Sequence, residues 1–134
     1  MPATASLVTG VDFVSVPTRD LDAARAFYGE VLGLEAGKVW QGSRPDALGA
    51  EFETGTVTLA LIVGERLGIP FQASTTPIAL QVEDVAAARA DLAARGVEFQ
   101  GDIIDSGVCH MAPFSDPDGN ALMLHHRYAP SPGA

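Results

Sequence analysis

The chain has 134 residues, which makes one domain the natural expectation and is enough for a core of its own. Apolar residues make up 47% and charged residues 19%, a globular rather than a disordered composition, and a net charge of −9 argues against nucleic acid and anionic membranes as partners. The single cysteine, Cys109, excludes an internal disulfide and a cysteine-rich metal site.

Residues 11–16 are rich in β-branched and aromatic side chains and predict a strand ended by Pro17. Asp20 then stands as an N-cap before Leu21, Ala24, Phe27, Tyr28, Val31 and Leu32, whose spacing marks one face of a helix. Gly33 is its left-handed stop. Residues 34–40 predict a second strand and 41–49 a loop. Two further strands, 50–53 and 56–63, flank a tight turn at Thr54-Gly55, with Val57, Leu59, Leu61 and Val63 on one side. Residues 64–76 read as a linker.

The pattern then starts again. A strand at 78–82 precedes an N-cap at Asp84, a helix carrying Val85, Ala88 and Leu92 on one face, and a stop at Gly96. Val97 to Phe99 should open the next strand, and 108–114 and 121–127 a closing hairpin. Residues 128–134, with two prolines, read as a loose tail. An offset of 64 residues places Asp20 on Asp84 and carries Ala23, Ala24, Arg25 and Ala26 onto Ala87, Ala88, Arg89 and Ala90. The expected architecture is therefore α+β, with two βαβββ modules in one chain. Module one covers about 10–63, the linker 64–76, module two 77–128 and the tail 129–134. Each sheet would be covered by a helix on one face and open on the other, and two open faces, side by side or traded between subunits, would surround a cleft.

The run Val14-Ser15-Val16-Pro17-Thr18-Arg19-Asp20-Leu21, continuing to Phe27-Tyr28-Gly29-Glu30-Val31-Leu32-Gly33-Leu34, resembles the opening module of the vicinal-oxygen-chelate superfamily (glyoxalase, bleomycin resistance protein, dioxygenase). Ile78 to Val85 resembles the start of its second module, and Phe114-Ser115-Asp116-Pro117-Asp118-Gly119-Asn120 its closing turn. Pro117 and Gly119 suit a tight connection there, and the acidic residues of the turn read as structural.

The resemblance implies a glyoxalase-like cleft and, in metal-using members, a ligand on the outer strands of each module. Those positions fall here on Phe13, Ala60, Pro77 and Met123. Three of them cannot coordinate, and a thioether suits soft copper rather than the divalent ions this chemistry uses. The expectation is thus no metal and no cofactor. The residues expected to touch a ligand are Phe13, Trp40, Phe52, Ala60, Met123 and His125. Arg44 on the loop beside Trp40 could meet an anion, and Phe71 could supply an apolar wall.

Two hairpin registers are open. One sets His110 opposite His125, the other His110 opposite His126. The first would build a proton-transferring pair, so His110 and His125 are the candidate catalytic residues. Cys109 reads as structural, because strand neighbours do not face one another.

The leading functional expectation is a protein that binds a small organic molecule, antibiotic sequestration included, as bleomycin-resistance members do. A metal-independent epimerase, cyclase or lyase with histidine acid/base chemistry is the alternative, and a metal-dependent glyoxalase or extradiol dioxygenase ranks last. A homodimer is expected from unpaired sheet edges. The cytoplasm is expected from the lone cysteine and from an N-terminus without a leader pattern.

Overall fold

The computed structural model describes residues 6–130. Strand β1 (Phe13–Pro17) leads through Asp20 into helix α1 (Leu21–Ala26), which widens into a π-helical segment over Phe27–Val31. Strands β2 (Glu35–Trp40), β3 (Gly49–Glu53) and β4 (Thr58–Ile62) complete the first module. A 3₁₀ turn at Gly64–Leu67 opens the linker. The second module repeats the plan with β5 (Ile78–Gln81), α2 (Val85–Ala94), β6 (Ile104–Asp105), β7 (Cys109–Ser115) and β8 (Ala121–Arg127).

Each module is a four-stranded sheet, in the orders β1-β4-β3-β2 and β5-β8-β7-β6. In both, the first strand runs parallel to the last, with Val14 beside Leu59 and Ile78 beside Leu122. The helix starts repeat as well. Asp20 accepts from the Ala23 amide at 3.1 Å and Asp84 from the Ala87 amide at 3.0 Å, so each cap satisfies an amide the helix leaves unpaired. Gly33 and Gly96 hold φ of +76° and +96°, the left-handed stops that a side chain would strain.

Alternation along the strands sorts each sheet into two faces. Val16, Ala50, Phe52, Leu59 and Leu61 of the first sheet and Ala112, Phe114, Leu122 and Leu124 of the second are buried on the helix side. They form one continuous core with Leu21, Ala24, Tyr28, Val85 and Leu92. Phe27 reaches Phe114 of the other module, ring centroids 6.5 Å apart. The sheets therefore share a core through their helix-covered faces, and their open faces turn away from it.

The closing turn fastens the modules together. Tyr28 donates to Asp116 at 2.7 Å, Thr18 donates to Asp118 at 2.6 Å, and Asn120 donates to the Pro17 carbonyl at 2.8 Å. Its acidic residues do bond local amides, as expected, but they also reach partners about a hundred residues away.

Three expectations are corrected. Val97 to Phe99 is no strand; Phe99 makes a single bridge to Phe114, and the edge strand is the short β6. Pro17 belongs to β1 rather than following it. Tyr128 and Ala129 both donate to the Val108 carbonyl, so the start of the tail is tied down, while 131–134 lie outside the described residues.

Candidate functional site

The open face of the first sheet carries Phe13, Ser15, Glu51 and Thr58, and Trp40 leans over it from β2. Phe13 and Trp40 meet edge to face with centroids 5.6 Å apart. The indole N–H of Trp40 donates to Glu51 Oε2 at 2.6 Å, which fixes the ring over the sheet. Gly49, opposite Trp40, has no space for a side chain, since a Cβ there would run into the Leu61 carbonyl. Phe13 remains 45% exposed. It opens β1, an aromatic ring left accessible at the start of a strand.

Two other predicted ligand contacts on this sheet fare differently. Phe52 lies on the opposite face, buried, its ring 6.2 Å from that of Tyr28. It is a core residue, because strand alternation sends it under the helix when Glu51 and Glu53 face out. Ala60 is on the open face but has no exposed surface, flanked by Ser15 and Glu51 in the ladder.

On the second sheet the open face carries Ala79, Gln81, Met111, Met123 and His125. Met123 pairs with Pro113, and His125 with Met111. His125 is half-buried and makes no side-chain hydrogen bond among the described residues. The hairpin takes the second of the two registers: His110 faces His126, and Phe114 faces Leu122. The proposed pair of His110 with His125 is thereby undone, since the two point to opposite faces. His126 instead meets the Val82 carbonyl at 3.1 Å.

His110 has partners the sequence did not suggest. Its Nε2 lies 3.4 Å from Asp105 Oδ2, and its ring stacks on Tyr128 with centroids 4.8 Å apart. Tyr128 donates to the other oxygen of Asp105 at 2.9 Å. The Gly107 amide, and then the Tyr128 hydroxyl, hold the Asp105 carboxyl below its usual range, while the bond to Asp105 raises Tyr128. These groups are solvent-exposed and act as a clasp between β6, β7 and the tail.

Arg44 and Phe71 also find other work. Arg44 donates to the Arg66 carbonyl at 3.3 Å, and Phe71 lies under the Arg19 guanidinium at 4.2 Å.

The two open faces carry different chemistry, aromatic and carboxylate on one sheet, thioether and imidazole on the other. No hydrogen bond or ring contact joins them among the described residues. The metal-ligand positions that the resemblance implies hold Phe13, Ala60, Pro77 and Met123, and no three His, Cys, Asp or Glu side chains converge among the described residues. Glu51, a donor on the right face, is already engaged by Trp40. The donor set does not fit a divalent ion. Among the described residues no helix is long and apolar enough to cross a membrane.

Comparison with known proteins bears on the family and the fold. The family model of the Glyoxalase/Bleomycin resistance protein/Dioxygenase superfamily matches residues 10–124. Among solved structures, TnmS3, an antibiotic binding protein from Streptomyces sp. CB03234, is similar at 26% identity and TM-score 0.76, over 92% of this chain and 99% of that one. A glyoxalase/bleomycin resistance protein/dioxygenase from Nocardioides is similar at 26% identity and TM-score 0.72, over 98% and 91%. A lactoylglutathione lyase from Agrobacterium tumefaciens shares the fold at 19% identity and TM-score 0.69, over 88% and 93%. No curated protein sequence matches.

Proposed function

We propose that this chain, which belongs to the Glyoxalase/Bleomycin resistance protein/Dioxygenase superfamily, binds a small organic molecule of antibiotic type on its open sheet faces, without a metal ion, as a homodimer. The observation that carries the reading is the Phe13–Trp40 corner, an exposed aromatic pair whose indole is locked by Glu51. A ring pinned in the free protein loses little entropy when a flat ligand stacks on it, so the surface is preorganised. Met111 and Met123 give the other sheet an adaptable apolar lining. The similarity to an antibiotic binding protein over nearly the full length of both chains supports the same reading.

The outward turn of the open faces supports the homodimer reading. Each is half a cleft, and the second half is available on another copy of the chain.

Thermal-shift screening against aromatic natural products tests the reading. A ligand at a hundred times its Kd stabilises by about 2.7 kcal/mol. The expected result is stabilisation by at least one such compound, lost in Phe13→Ala and Trp40→Ala. Stabilisation that survives both substitutions would place the ligand elsewhere and sink the proposal.

A second reading has one observation in its favour. Among the described residues the half-buried His125 side chain on the open face has no hydrogen-bond partner, which leaves it available to move a proton to or from a bound molecule. In that case His125→Gln abolishes turnover while ligand affinity changes little, whereas a pure binding protein shows no turnover to lose.

A further inference from the structure

A cavity lies elsewhere. It occupies about 660 Å³ between the modules, and neither the Phe13–Trp40 corner nor Met123 and His125 line it. It is lined by helix-side residues of both sheets, Leu59 from one and Leu80 and Leu124 from the other, by Ala79 and Gln81 from the open side of edge strand β5, and by Leu32 and by Leu92 of α2. Such a volume suits a small ligand, whose sites run to roughly 300–1,000 Å³ and are mostly apolar with few polar groups. The polar groups at this rim are unequal. Arg95 is already committed, donating to the Val31 carbonyl at 2.8 Å and to Asp91 at 3.2 Å. Glu83, at the end of β5, is exposed and has no side-chain hydrogen bond or ion pair among the described residues. An apolar chamber with one uncommitted carboxylate at its mouth, in a chain of net charge −9, selects for cations over anions.

We propose that the cavity between the modules is a second binding site, distinct from the Phe13–Trp40 corner and the Met123–His125 surface, for a small aliphatic amine whose hydrocarbon body fills the leucine-lined groove and whose ammonium group meets Glu83. Because its walls belong to both modules, an occupant also braces one module against the other.

The matched probes are 1-adamantylamine and 1-adamantanecarboxylate, compact aliphatic cages of opposite charge with no flat aromatic ring to stack on Trp40. Methyl NMR titrations of the full chain should show saturable shifts at Leu32, Leu80 and Leu92 with the amine, and binding about tenfold weaker for the carboxylate. Glu83→Gln, an exposed substitution that spares the core, should erase that tenfold preference. Ala88→Phe, which fills the chamber from α2, should abolish amine binding. Phe13→Ala should leave it unchanged, whatever becomes of aromatic ligands at the open faces. Absence of saturable shifts at the three leucines overturns the site, as do shifts centred on the Trp40 indole. Equal affinities for the two probes in the unsubstituted protein overturn the assignment to amines.

Discussion

Tyr28 shows how much one side chain can carry. It has no exposed surface, packs against Phe27 and Phe52, and ends on the Asp116 carboxylate of the other module. Burial first, and then the Asp116 charge and hydrogen bond, push its hydroxyl far above the ordinary tyrosine range near 10. A folded-state pKa above the unfolded value gives a contribution fully present below pH 10 and lost as pH rises beyond it, because the unfolded chain ionises there and the folded chain resists. Tyr28→Phe should cost about 1–3 kcal/mol at neutral pH, the loss of a buried hydrogen bond to a charged acceptor. The gap between the two proteins should then narrow in denaturant titrations above pH 10. A gap that stays constant to pH 11.5 would mean that Tyr28 ionises as readily folded as unfolded. None of this was legible in the sequence, where Tyr28 was one apolar-face residue among several and Asp116 a turn residue 88 positions away. The same limit hid the bond from Trp40 to Glu51 and the clasp of Asp105 and Tyr128 on His110. Phe13 and Phe52 were equal candidates for the site until strand alternation put them on opposite faces.

At the scale of elements, the duplicated plan was legible because its signals are local. An aspartate cap, an Ala-rich helix and a glycine stop occur twice in the same order, and both caps form the bond their residue type predicts. The short β6 was not legible, since two exposed residues carry no periodicity, and Val97 to Phe99 looked more strand-like for being apolar. Its backbone goes elsewhere, with Phe99 bridging Phe114 and the Gln100 amide donating to Pro113. The register of the closing hairpin was left between two choices, and the face of His110 went with it. The turn of that hairpin carries a stability prediction. Asn120 donates to Pro17 and to Asp116, and accepts from the Ser74 amide at 2.8 Å. Asn120→Ala removes the buried bond to Asp116 and the part-buried bonds to the Pro17 carbonyl and the Ser74 amide, and should cost about 2–4 kcal/mol. Asp84→Ala removes one exposed helix cap and should cost about 1 kcal/mol. Equilibrium urea unfolding ranks the two. A larger loss from Asp84 would show that the turn does not hold the modules together.

For the whole molecule, the decisive feature is that both sheets give their helix-covered faces to one core, leaving the aromatic corner and the Met123–His125 surface on outward faces. If a ligand is to touch both, it must do so between two copies, the aromatic half from one and the thioether half from the other. That arrangement can be distinguished from a site built within one chain by mixing two defective proteins. Trp40→Ala disables every aromatic half, and Met123→Arg places a charge on every thioether half. Each homodimer then holds only damaged sites. In a mixed dimer one site collects both defects and its neighbour collects none. Random exchange makes half the dimers mixed, so about a quarter of the wild-type binding capacity should reappear on mixing. A site contained in one chain cannot be rescued this way, and capacity would stay at the level of the separate variants. The exchange itself should respond to salt. Two chains of net charge −9 repel, and screening shortens that repulsion to about 10 Å at 0.1 M ionic strength, so added salt should tighten the dimer and shift the balance from monomers to mixed dimers.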